Sequence, residues 1–209
     1  MTRIVPIIAL GFLINSPLLY ASPASYSINT QKTTIALSWR AFGETSEASL
    51  GRVTGDITLD AGNAEKDRID VTIPVATLEA SNSLLIYQMK SGFFFDAGRY
   101  PNITFTSNRV VALGEGHFRV FGTLAVKNIL RPVILDALLK GKNGEFFAAE
   151  SISLHASTAI SRSAFNMDSF AALVDDTVII NIDIQASPHP VAQTIPAASP
   201  FGLPERPRF

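Results

Sequence analysis

The chain of 209 residues carries 17 basic and 18 acidic side chains, a formal net charge of -1, with 47% hydrophobic and 17% charged residues. That balance leaves no cationic footprint for nucleic acid, and the apolar content excludes a largely disordered chain. There is no cysteine, which excludes disulfides, thiolate catalysis, cysteine-ligated metals and a lipidated N-terminal cysteine.

Residues 1–24 read as a secretory signal peptide: Arg3 precedes the apolar run 4–14, and Ala21 to Ala24 supply small residues for cleavage. Pro6, Asn15 and Pro17 interrupt the run, which is short for a membrane span. The expectation is a periplasmic protein with no integral span in the mature chain. Pro23 leaves the cleavage site open.

From Tyr26 the pattern is one of strands. Ile35, Leu37 and Trp39 alternate with Ala36, Ser38 and Arg40, the period-two signature of a sheet with one apolar face. Gly43 to Gly51 is small and polar, as in a loop or a weak edge. Val53, Gly55, Ile57 and Leu59 share a face, a turn at Ala61-Gly62-Asn63 follows, and Ile69, Val71, Ile73 and Val75 repeat the alternation. At Thr77 the period changes. Leu78, Leu84, Leu85 and Met89 are spaced as a helical face, with Ser81 or Asn82 as its cap.

This helix runs into an aromatic plug, Phe93-Phe94-Phe95, and the chain then turns through Asp96 to Gly98 before Pro101 ends the local structure. Strands resume at Ile103 and Phe105 and continue through Val110 and Val111. A turn at Gly114 to Gly116 leads to residues 118–126, and Asn128 and Pro132 bracket a connection to Val133, Leu135, Ala137 and Leu139. Asn143-Gly144 signals a hairpin. Residues 152–160 and 178–184 supply the last strands around an irregular stretch from Ser161 to Leu173. Eight antiparallel strands with one helix between the third and fourth fit a sandwich or a barrel. A barrel of that size is just wide enough to be filled by side chains or to hold one small ligand. Residues 187–209 carry six prolines and no periodic apolar face, and read as a flexible tail.

Four stretches, GRVTGDITLD at 51–60, MKSGFFFDAGRYPNITFTS at 89–107, VFGTLAVKNILRPVILDA at 120–137, and ISRSAF with LVDDTVIINIDI between 160 and 184, together resemble the YceI-like family of exported, lipocalin-like polyisoprenoid-binding proteins. The resemblance covers residues 25–186. It implies an all-β, eight-stranded antiparallel barrel with one helix, enclosing an elongated apolar cavity for a polyisoprenoid, quinone or similar long amphiphile. No other cofactor and no reaction is implied, and a homodimer is compatible with it. The first strand departs from the family pattern, since Trp39 and Phe42 add bulk near one barrel end. Leu130-Arg131-Pro132-Val133 replaces the usual Thr-Lys-Pro-Val.

The inward set expected to bind such a ligand is Leu37, Trp39, Ile57, Val71, Ile73, Phe94, Phe105, Val120, Leu124, Leu135, Leu154, Ile180 and Ile182, and ordinary core packing suits each equally well. Gly55, Gly122, Ala137 and Ala156 are small where a packed core favours Val or Leu, so they are candidates for marking a tunnel. Arg162 and Arg99 are candidate contacts for a polar head group. Arg162 better suits pairing with Asp175 or Asp176 to hold its loop, and Arg99 also suits stacking on Tyr100. Catalysis and metal binding find no support: His117, His155 and His189 are scattered, no Gly-x-Ser-x-Gly elbow occurs, and no histidine pair has ligand spacing. The alternative to a carrier is a protective or interaction protein whose barrel is filled by its own side chains.

Overall fold

Period-two alternation puts one face of each strand in the dry interior. In the computed structural model, which describes residues 24–60, 63–140 and 151–189, that face closes on itself. The strands are β1 (Ala24–Ile28), β2 (Thr34–Ala41), β3 (Glu44–Leu50), β4 (Thr54–Leu59), β5 (Arg68–Pro74), β6 (Glu79–Ala80), β7 (Asn102–Gly114), β8 (His117–Val126), β9 (Ile129–Leu139), β10 (Ile152–Ser161) and β11 (Thr177–Pro188). The ring runs β1-β4-β5-β7-β8-β9-β10-β11, and β11 pairs back onto β1, closing an antiparallel eight-stranded barrel. β2 prolongs β1 along the same edge of β11, and β3 prolongs β4. Thr33, buried at the break between β1 and β2, bonds the backbone of Gln185 through its hydroxyl.

Glu44–Leu50 is a full strand, not the loop or weak edge its polar composition suggested. β2 offers it a complete ladder, from Ala41 opposite Glu44 to Ile35 opposite Leu50, and Ala48 and Leu50 turn inward. Phe42 and Gly43, both at positive φ, make the two-residue turn between them. The last strand also outruns its expected end: β11 reaches Pro188, and the His189 amide donates to the Ser25 carbonyl at 2.9 Å.

Helix α1 (Ser83–Lys90) starts at the second of its two expected caps, which leaves Leu78 out of the helical face. Asn82 is the cap, its side chain accepting from the Leu85 amide at 2.9 Å, so Leu78 falls before the helix and is buried beside a short 3-10 turn. After the helix, the Phe95 amide donates to Met89 and the Tyr100 amide to Asp96, which locks the aromatic plug in place.

Four connections lie together at one end of the barrel: the short β2–β3 and Lys127-Asn128 turns, the long α1 segment between β5 and β7, and residues 162–176 between β10 and β11. At this end β9 and β10 separate. Their ladder covers only Asp136–Leu139, and Pro132, which has no amide hydrogen, lies in the part of β9 without a β10 partner. A 3-10 turn at Ser163–Phe165 packs on β9 there with Phe165 wholly buried, and Lys127 Nζ holds the Asn166 carbonyl at 2.9 Å. The expected turns at 61–62 and 143–144, residues 1–23 of the expected signal peptide and the tail beyond His189 lie outside the described residues, while Ala24 begins β1.

Candidate functional site: an apolar lumen with one wide mouth

Inward side chains from all the ring strands except β1's first residues converge on a cavity of about 150 Å3 inside the barrel. Thirteen of the expected residues line it: Leu37, Ile57, Val71, Ile73, Phe105, Val120, Leu124, Leu135, Ala137, Leu154, Ala156, Ile180 and Ile182. The lining is otherwise apolar apart from Thr33 and Thr158, and Thr33 is already satisfied by Gln185. Such a surface offers a ligand no directional partner, so shape and area decide what enters.

A second, wider cleft of about 350 Å3 opens at the end of the barrel that carries α1. Trp39 and Phe94, expected inside, line this mouth instead, and the Phe94 ring stacks on Phe170 at 6.3 Å between centroids. Leu37, Phe95, Met167 and Val178 line both spaces. Phe95 and Met167 are buried, so they form the partition between lumen and mouth. Phe95 is the member of the aromatic plug that sequence spacing did not single out. Ile103, Val110 and Phe118 were also absent from the expected set although they belong to strands already recognised, and all three line the lumen.

The small residues divide into two kinds. Ala137 and Ala156 stand opposite one another on β9 and β10 and both line the cavity, so their missing methylenes are real volume. Gly122 and Gly55 leave none. A Cβ at Gly122 would lie 2.4 Å from Cζ of Phe105, whose ring lies over that glycine. At Gly55, with φ at +153°, a Cβ would meet the Asp70 carbonyl oxygen at 2.0 Å, because β5 passes too close for any side chain.

Arg162 is buried, and its guanidinium donates to four backbone carbonyls of the same loop: Met167, Ser169 at 2.9 Å, Val174 at 2.8 Å and Asp175 at 2.9 Å. It therefore ties residues 162–175 into one unit while bordering the mouth. The expected carboxylate pairing is replaced by carbonyls. Asp176 instead accepts from the Ser161 hydroxyl and, at 2.8 Å, from the Ser163 amide. Those bonds, led by the Ser161 hydroxyl, hold its carboxyl below the usual range. Arg99 borders neither space and lies over the Tyr100 ring at 5.3 Å.

The histidines lie outside the lumen. His155 Nδ1 is 3.1 Å from Asp183, which Lys140 also contacts at 2.6 Å, and His189 Nε2 is 2.9 Å from Asp56. Among the described residues no three His, Asp or Glu side chains are grouped to hold a metal ion, and no helix is long and apolar enough to cross a membrane.

The YceI-like domain model matches residues 26–186, which is nearly the whole barrel. The chain belongs to the YceI-like family. A relative from Vibrio campbellii, called a UPF0312 protein, is 24% identical over 150 residues, 70% of this chain and 79% of its own length. The BcnA structure from Burkholderia cenocepacia superposes with a TM-score of 0.68 at 21% identity, covering 77% of this chain and 99% of BcnA. A polyisoprenoid binding domain from Saccharophagus degradans, implicated in plant cell wall breakdown, superposes at 0.62 with 13% identity, covering 79% of this chain and 99% of that domain. At these identities the two structures establish the YceI-like fold of the chain and no more.

Proposed function

We propose that this protein is an exported carrier that holds a polyisoprenoid, a quinone or a similar long-chain amphiphile in the barrel lumen, acting in the periplasm without catalysing a reaction. One observation carries the reading: an apolar cavity of about 150 Å3 runs from the barrel core toward an open mouth. Protein interiors pack with few voids larger than a water molecule. At about 24 cal/mol per Å3, leaving about 150 Å3 of apolar space empty costs roughly 3–4 kcal/mol. An apolar chain recovers that cost; a barrel filled by its own side chains would not carry it. The name of the Saccharophagus degradans domain, together with the family, supports an isoprenoid as the chain.

A long ligand needs lumen and mouth together, so Phe95 and Met167 swing aside as it enters. At about 0.3 kcal/mol retained per heavy atom, each pair of isoprene units adds about 3 kcal/mol, or roughly a hundredfold in affinity, until the space is full. A titration with prenyl alcohols of increasing length tests this. Affinity climbs with length and then levels off, and the plateau shifts to shorter chains in Ala156→Leu and Ala137→Leu. Affinity independent of length, or unchanged by both substitutions, contradicts a luminal site.

A further inference from the structure

Phe42, Leu84, Tyr87, Phe93, Phe170 and Leu173 are 50–74% exposed, and all six sit at the mouth end of the barrel. They come from separate segments that meet there. The Phe42 amide donates to the Leu173 carbonyl at 2.8 Å, and the Phe93 and Phe170 rings lie 6.4 Å apart. Phe170-Ala171-Ala172-Leu173 is an unbroken exposed apolar run. From Ser81 to Phe95 the only charged residue is Lys90, whose ammonium is engaged by the Ala76 carbonyl at 2.7 Å. Runs of this kind on a surface mark a place where something other than water is met.

We propose that the mouth end docks reversibly on a phospholipid bilayer, with these tips seated at the headgroup boundary so that the lumen opens onto the acyl chains. The inference rests on the carrier reading. It favours lipid over a protein partner because the tips are separate projections around an opening, and three of them, Phe42, Leu84 and Phe170, continue inward as the wall of the apolar cleft. The surrounding charge supplies no net attraction to anionic lipid: Arg40, Lys90, Arg99, Lys127 and Arg131 are balanced by Glu44, Asp96, Asp168, Asp175 and Asp176. Binding is therefore apolar and indifferent to salt. Ser25 and His189, joined at 2.9 Å, lie at the opposite end of the barrel.

The test is flotation of the full mature chain with phosphatidylcholine vesicles at low and high salt. The variant combines Tyr87→Ser, Phe93→Ser and Leu173→Ser, which line neither cavity and are exposed enough to leave folding intact. Uptake of farnesol in the absence of vesicles is followed in parallel. The expected result is salt-independent flotation of the parent, a loss of roughly a hundredfold in partitioning for the variant, and equal farnesol uptake by both. A parent that takes up farnesol but does not float overturns docking alone, as does a variant that floats equally well. Flotation without farnesol uptake leaves docking standing and removes the cargo. A parent that is dimeric by light scattering, becomes monomeric on substitution and never floats assigns the face to a second copy instead.

Discussion

Gly122 and Arg162 show how a side chain's function follows from what already fills the space around it. The Phe105 ring occupies the volume that Gly122 lacks, so Gly122→Ala forces an overlap costing about 1–3 kcal/mol. Chemical denaturation should register that loss and should find it reduced in a Phe105→Leu background, where the ring is gone. Equal costs in both backgrounds would deny the contact. Arg162→Lys keeps the charge, but one ammonium cannot reach the four carbonyls that the planar fork serves. It should lower stability by about 2–4 kcal/mol through the carbonyls left unpaired, read as a drop in the urea midpoint at unchanged slope. A loss of ligand affinity with no loss of stability would instead return Arg162 to a head-group role. The Gly122 assignment was not legible in the sequence, whereas for Arg162 the loop-holding role was the favoured one, with carboxylates expected where the carbonyls stand. Small residues and a lone arginine look alike whether they border a void or a ring, a ligand or a loop, because the deciding neighbours are on other strands.

At the scale of elements, the strands were legible wherever one face was uniformly apolar, as in Ile57-Leu59 or Ile103-Phe105. Glu44–Leu50 was not, because its outward residues dominate its composition and its place is set by the ladder with β2. The helix was recognised by its period, but its start depended on which of two adjacent residues capped it. Asn82→Ala removes that cap and should destabilise the mouth by about 1 kcal/mol, visible as faster amide exchange in α1 than in the barrel strands. The loop 162–176 has a pH dependence of defined sign. The Asp176 carboxyl lies below its usual range because it accepts from Ser161 and Ser163, so its contribution is intact above the ordinary carboxylate pKa of about 3.9 and fades as pH falls through the lower folded value. Limited proteolysis in this loop should rise only in acid, and Asp176→Asn should flatten that rise. Loosening on the alkaline side would contradict the assignment.

For the molecule as a whole, the ring of eight strands explains why a chain without cysteine or a recognisable metal cluster among its described residues holds an internal space. Closure removes the sheet edges, β9 and β10 part near the mouth, and Phe165 with the Arg162 loop seals that gap. The barrel and most of its inward face could be read from period two and the family resemblance together. The partition at Phe95 and Met167 could not, since it depends on where a plug and a loop meet after the chain has closed. The central claim is that this space is occupied by a long apolar chain. Native mass spectrometry of the protein, purified without detergent and then exposed to prenyl lipids and quinones, tests it most directly. The account expects one stoichiometric adduct of lipid mass, lost when Ala137 and Ala156 are both changed to Leu; a clean unliganded mass throughout would contradict it.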